Sequence, residues 1–314
     1  MSASQSPSPY EHMQSAVDIV ADSPHPSNKI AATIAGKNAN GNDYAVSRVN
    51  YWPYRIETHI GAETDIGNSS GTLHAETACI LDAPKTEDAS VFITDPPCPN
   101  CMKNMAEAGI KALYIDHKGF DKDWAKRRGE SFEAMSMRIA EKAGIDVHVI
   151  YRKEERFEII SRHAPGYKPP IENPPQVEAM EDGFEALIKA AHEQMKDEPF
   201  VLALAENHKD EVFSILVDRH PTIGYTSKTL EKKEDKYSFI MQPMNRALMI
   251  AARHGLMIDP QHLYSSRTPT AREFVNMIGS GLNEIQLGDV DASRDEDGPK
   301  ALKQLTEAGV IKVN

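Results

Sequence analysis

The chain has 314 residues, 40% hydrophobic and 26% charged, with a net charge of −12. That length suits one large domain or two ordinary ones, and the composition suits a packed core. The acidic balance disfavours a grip on nucleic acid, which is built mostly on Lys and Arg. Three cysteines are too few for a disulfide framework and fit a reducing compartment. No stretch approaches the roughly 18 apolar residues of a membrane helix. The Ser/Pro-rich start, MSASQSPSPYEHM, lacks a secretory pattern. The expected location is therefore cytoplasmic and the expected partner a small molecule, with no membrane and no nucleic acid.

In chain order, PYEHMQSAVDIVADS reads as a helix, and KIAATIAGK and YAVSRVNYW as a strand pair. LHAETACILDA is helical and SVFITD a buried strand. CPNCMKNMAEAG is a helix ending at Gly109, KALYIDHK a strand, SFEAMSMRIAEKAG a helix ending at Gly144, and DVHVIY a strand. Strands alternating with single helices predict a sheet covered by helices on both faces, a three-layer α-β-α fold of the α/β class.

HAPGYKPPIENPPQ, residues 163–176, holds five prolines and reads as a linker. It divides the chain into residues 1–162 and 177–314. The second part repeats the order of the first. FEALIKAAHEQMKD is a helix, FVLALAEN and EVFSILVDRH are strands, and MNRALMIAARHG is a helix. HLYSSRT, AREFVNMIGSG, NEIQLGD, GPKALKQLTEAG and VIKVN then alternate strand and helix. The same nine elements in the same order predict a tandem duplication.

The stretch DPPCPNC places Cys98 and Cys101 in the first turn of a helix, on one face. A helix N-terminus favours thiolates, and Pro99 costs nothing in that turn. The pair alone is compatible with redox, disulfide, structural or catalytic metal use. LHAETACI sets His74 and Glu76 at the start of the preceding helix. If both helices start at the same sheet edge, His74 faces the two cysteines. One His and two Cys leave a fourth position open, as in a catalytic zinc site. Glu76 is then placed as general acid/base. Cys79, five residues after His74, is expected to point elsewhere as a core residue.

His74-Ala-Glu76 followed by Pro97-Cys98-Pro99-Asn100-Cys101 resembles the H-x-E…P-C-x-x-C signature of zinc-dependent cytidine and deoxycytidylate deaminases. The resemblance spans roughly residues 10–155. FITDPPCPNCMKNMAEAGIKALYID looks most like the deoxycytidylate branch. It implies a cytidine deaminase-like fold, Zn²⁺ on His74, Cys98 and Cys101, and Glu76 as proton shuttle. It also implies substrate contacts at Asn50 and Ala75, and hydrolysis of the exocyclic amine of a free cytosine nucleotide or nucleoside. RVNYWP departs from the family turn at Asn50, and Tyr54–Leu73 is unlike the family. A purine, pterin or other amino-heterocycle therefore stays open as substrate. A nucleic-acid editor and a non-catalytic zinc scaffold are the remaining alternatives.

The second half aligns with the first so that His74 meets Gln242, Glu76 meets Met244, Cys98 meets Thr270 and Cys101 meets Glu273. Residues 177–314 are thus expected to be a degenerate deaminase-like domain without zinc ligands, supporting a catalytic domain in 1–162. A homodimer of the tandem chain is a further expectation. His59, His117, His148 and His163 lack spacing to a second ligand. Asp289–Gly298 has Arg294 where a calcium loop needs glycine and reads as a solvated acidic loop. AKRRGE, residues 125–130, is a solvated loop that could also touch a substrate phosphate.

Overall fold

The computed structural model describes residues 6–120, 130–231 and 237–314. The first helix, α1 (Pro9–Ile19), starts where the sequence provides a capping box. The Ser8 hydroxyl accepts from Glu11 N–H while the Glu11 carboxylate accepts from Ser8 N–H, and Pro9 opens the first turn. Strands β1 (Ala31–Lys37) and β2 (Asp43–Val49) form an antiparallel pair. Then follow α2 (Ala75–Asp82), β3 (Ser90–Ile93), α3 (Pro99–Glu107), β4 (Ala112–Asp116), α4 (Glu130–Ala143), β5 (Asp146–Tyr151) and β6 (Arg156–Ser161). Gly109 and Gly144 take φ of +73° and +81° just past α3 and α4, the left-handed stop the sequence predicts.

The first sheet has the order β2-β1-β3-β4-β5-β6. The β3-β4-β5 ladder is parallel and the other pairings are antiparallel. Phe92, Tyr114 and His148 occupy one register row and stack at 4.8 and 4.7 Å. Met13 of α1 packs on this face. The alternate residues Val91, Ile93, Leu113, Ile115 and Val147 are fully buried on the opposite face, the side taken by α2 and α4. Both faces being covered explains why β3 reads as a continuous apolar run.

The second sheet is built from β7 (Gln176–Ala179), β8 (Phe200–Glu206), β9 (Val212–Asp218), β10 (Met257–Thr268), β11 (Glu284–Ser293) and β12 (Lys312–Val313). Its helices are α5 (Phe184–Met195), α6 (Pro243–His254), α7 (Ala271–Gly279) and α8 (Asp297–Glu307). Its order is β12-β11-β10-β8-β9-β7, with β10-β11-β12 parallel. Removing one edge strand from each sheet leaves β2-β1-β3-β4-β5 and β9-β8-β10-β11-β12, five strands with the same order and the same senses. That identity is consistent with a tandem-duplicated α/β fold.

The two added strands lie at opposite edges and were not expected. β6 follows a turn in which Glu155 takes φ of +48°, and its residues are nearly all exposed, so it carries no alternation to read. β7 lies at the end of the proline-rich stretch and pairs antiparallel with β9 through Gln176–Ala179. The acidic run at 289 also differs from expectation. Asp289–Ser293 continues β11, and only the following residues form the turn into α8.

The compact units do not coincide with the two halves of the sequence. One unit comprises residues 1–51, 74–171 and 221–239, and the other comprises 52–73, 172–220 and 240–314. Each unit thus contains most of its own half and a stretch that lies, in sequence, inside the other half. Both stretches occupy the same place in their repeats, between the second strand of the pair and the following helix. Among the described residues no helix is long and apolar enough to cross a membrane.

Candidate metal centre

α2 and α3 each follow a strand or loop that brings their N-termini together in the first unit. His74 is the N-cap of α2, in extended backbone with φ −77° and ψ 146°. Cys98 is the N-cap of α3, with φ −72° and ψ 162°, and its sulfur accepts from Cys101 N–H. A cap position aims the side chain back over the helix start, where the free N–H groups lie. Three ligand atoms therefore meet at two helix starts. His74 Nδ1 lies 3.6 Å from Cys98 Sγ and 3.2 Å from Cys101 Sγ. One ligand atom from each of the three residues falls within 4.8 Å of the others, and this is the one such cluster of three or more His, Cys, Asp or Glu among the described residues.

The donor set fits zinc. The two sulfurs are buried, at 7% and 3% exposure for Cys98 and Cys101. The Cys101 side chain and His74 hold the Cys98 thiol well below the ordinary thiol range. Cys98 in turn, together with burial, pushes Cys101 well above it. The second sulfur can ionise beside the first in so dry a site only with a cation to balance it, and a soft S₂N set with three protein ligands is the open form of a zinc site.

Glu76 stands in the first turn of α2, 3% exposed, and its Oε2 has no hydrogen-bond partner. A buried, unpartnered carboxylate oxygen is costly and calls for a ligand-side group. Burial pushes this carboxyl up to about 7, with His74 opposing. A group that both accepts and donates a proton near neutrality is thus held beside the ligand cluster. Ala75 is the first residue of α2 and fully buried, so its N–H has no acceptor within the helix.

Behind the ligands, Asn104 Nδ2 donates to Thr77 Oγ1 at 3.1 Å, and Thr77 Oγ1 lies 3.7 Å from Cys101 Sγ. This pair ties α2 to α3. Neither residue belongs to the recognisable motif, and the only signal for them is their position three residues after His74 and after Cys101.

Asn50 is not aimed at open space. Its Oδ1 accepts from Ser23 Oγ at 2.7 Å and Ile30 N–H at 2.9 Å, and its Nδ2 donates to the Asn28 carbonyl at 2.9 Å. One N–H of the amide remains outside these bonds. Cys79 points away from the cluster and donates to the Ala32 carbonyl at 3.1 Å, and burial raises its thiol. His148 is buried in the aromatic row, His163 bonds Asp146 and the Glu141 carbonyl, and His117 stacks on Tyr151 at 4.7 Å. His59 is exposed and lies 3.0 Å from the Ala308 carbonyl. Residues 125–129 of the basic AKRRGE stretch lie outside the described residues.

In the second unit the corresponding helix starts carry other groups. Gln242 is the N-cap of α6 and Thr270 the N-cap of α7. Glu273, 2% exposed, accepts from Thr270 N–H and Oγ1, each at 2.8 Å, and from Met244 N–H at 2.9 Å. Asn276 Nδ2 donates to Asn245 Oδ1 at 2.9 Å, in the place of the Asn104–Thr77 pair.

A family profile described as "Cytidine and deoxycytidylate deaminase zinc-binding region" matches residues 8–116. Residues 8–116 are thus similar to the zinc-binding region of cytidine and deoxycytidylate deaminases, and the ligand cluster lies within them. A curated relative, "Uncharacterized deaminase in luxG 3'region" of Aliivibrio fischeri, is 34% identical over 77 residues, 24% of this chain and 50% of that protein. The chain thus spans about half the length of that relative. Two solved structures of dCMP deaminase from the cyanophage S-TIM5 are similar. One, in complex with dCMP and dUMP, is 20% identical with a TM-score of 0.32. The other, in apo form, is 21% identical with a TM-score of 0.30. Each match covers 45% of this chain and 94% of the other.

Proposed function

We propose that the protein hydrolytically deaminates a free cytosine nucleotide or nucleoside of the deoxycytidylate kind, exchanging the exocyclic amine for oxygen and releasing ammonia. The observation that carries this reading is Glu76, a buried carboxylate with an unpartnered oxygen in the same helical turn as one of three converging metal ligands. A purely structural zinc site gains nothing from such a group.

His74, Cys98 and Cys101 would hold zinc, which supplies a water made nucleophilic near neutral pH. Glu76 would take one proton from that water at Oε2 and return it to the ring nitrogen beside the attacked carbon. It would then take the second proton from the newly added hydroxyl and pass it to the departing amine, so that one water is consumed, a C–N bond breaks and one ammonia leaves. Ala75 N–H, free at the helix start, is placed to donate to a polar edge of the ring. Asn50 contributes through its remaining N–H while its other bonds hold it in place. We assign catalysis to residues 1–162 and a supporting role to the degenerate copy in 177–314, joined by 163–176. We also propose a cytoplasmic location, no nucleic-acid partner and a homodimer of the tandem chain.

Another amino-heterocycle, a purine or pterin, is the second reading. It is favoured by the engaged Asn50 amide. Ammonia release from dCMP, CMP, deoxycytidine, cytidine, cytosine, guanine, adenosine and a single-stranded oligonucleotide tests both. Release from cytosine compounds alone, abolished in Glu76→Ala with zinc retained, is the expected result. Release from guanine or adenosine alone selects the second reading. Silence across the set with zinc bound removes the first reading and leaves an amino-heterocycle outside the set or a zinc scaffold.

A further inference from the structure

The first unit contains a segment from the second repeat, residues 221–239, and this segment reaches the metal centre. The partly buried ring of Tyr237 packs against Cys98 and Cys101. Next to it, the Ser238 carbonyl accepts from Lys103 Nζ at 2.9 Å, and Lys103, 5% exposed, stands on α3 two residues after Cys101. The helix that presents two ligands therefore also anchors the segment that covers them.

Residues 221–231 and Phe239 are pinned to the same unit. Thr222 N–H donates to the Phe239 carbonyl at 2.8 Å, closing the base of the segment. Tyr225 and Phe239 are buried, with ring centroids 4.8 Å apart. Arg138 of α4 sets its guanidinium 5.6 Å from the Phe239 ring centroid and bonds Glu231 at 2.8 Å, and Glu231 accepts from Tyr225 Oη at 2.8 Å. Gly224 takes φ of +94° and lies so close to the Lys142 backbone that a Cβ would collide with it. The bonds at Ser238 and Phe239, directly after Tyr237, hold its backbone in a defined place.

The second unit provides an internal control. There the matching segment, residues 52–73, likewise meets the start of the matching helix, where Arg272 of α7 donates to the Thr72 carbonyl at 2.7 Å and the Ser70 carbonyl at 2.9 Å. By the register that pairs His74 with Gln242, Tyr237 corresponds to Ser69. The large aromatic stands only where the metal ligands are.

We infer that Tyr237 is a positioning residue of the zinc site, supplied by the second repeat, which shields the two thiolates and bounds the space open to a planar heterocycle. An aromatic ring beside the ligands excludes water from the sulfurs and offers a flat face to the substrate. The substrate half of this inference rests on the function proposed above, whereas the shielding half does not.

The test uses the full-length zinc-loaded protein with Tyr237→Phe and Tyr237→Ala, read by zinc transfer to a chromogenic chelator and by KM and kcat for ammonia release. Tyr237→Ala is expected to release zinc about tenfold faster, in the range typical of groups surrounding metal ligands. Its KM is expected to rise about tenfold, as for loss of one stacking ring, with a smaller change in kcat. Tyr237→Phe keeps the ring, folds with the same packing and should match the parent in both. An active parent whose Tyr237→Ala variant shows unchanged zinc release and unchanged KM overturns the inference and leaves the proposed activity standing. An inactive parent whose zinc leaves about tenfold faster in Tyr237→Ala supports the shielding wall while the proposed activity fails.

Discussion

The starts of α2 and α3 in the first unit and of α6 and α7 in the second are two answers to one physical problem. Each unit converges two helix N-termini, whose unpaired N–H groups and dipoles favour negative charge. In the first unit His74, Cys98 and Cys101 meet there, a set that could hold a metal ion and so balance the charge of its thiolates. In the second, the Glu273 carboxylate accepts from Thr270 and Met244 and ties both helix starts together without metal. The polar pair behind each junction persists, Asn104 with Thr77 and Asn276 with Asn245. Glu273, at the position that the register pairs with Cys101, thus joins the two helix starts of the second unit through hydrogen bonds alone.

The largest effect that could break this comparison is catalytic. Glu76→Gln should lower ammonia release by about 10³-fold while zinc content stays unchanged, since removal of a general acid/base leaves the ligands in place. Next come the two junctions themselves. Cys101→Ala should abolish zinc binding and lower the thermal midpoint, and stripping zinc with a chelator should lower it in the parent to a similar degree. Glu273→Ala should leave zinc content unchanged yet cost about 3 kcal/mol in denaturant unfolding, because it leaves buried donors of Met244 and Thr270 without an acceptor. Equal zinc loss in both variants would mean the second junction is not independent of metal. Thr270→Ala removes the cap and one of the three bonds to the Glu273 carboxylate, and should cost about 1 kcal/mol.

The smallest effect is a pH dependence confined to the first unit. His148 is buried against Tyr114, and burial holds its pKa below the usual 6.5. The folded chain then binds fewer protons at this site than the unfolded chain. Stability should fall as pH drops below about 6.5 and be regained above it. Unfolding midpoints between pH 5 and 7 should be flatter in His148→Gln. An unchanged slope in that variant assigns the dependence elsewhere.

The ligand set was legible because its spacing is short-range chemistry. H-x-E and C-x-x-C each sit within one helical turn, and a strand before each helix is enough to bring them to one edge. The duplication was legible for a similar reason, since element order survives where ligands do not. Other features depend on contacts that no local pattern encodes. Tyr237 is more than a hundred residues from Cys101, on an irregular segment without periodicity, and only its tertiary packing places it at the sulfurs. β6 and β7 are edge strands, one almost wholly exposed and one hidden behind prolines. Asn50 was recognisable as a motif residue, but its bonds to Ser23, Asn28 and Ile30 come from a loop some twenty residues upstream.

Native mass spectrometry of the intact reduced chain, counting zinc, tests the asymmetry most directly. The account predicts about one zinc per chain, lost in Cys98→Ser and retained in Thr270→Ala. A parent chain that binds no zinc with its thiols reduced, or one that binds two, would contradict it.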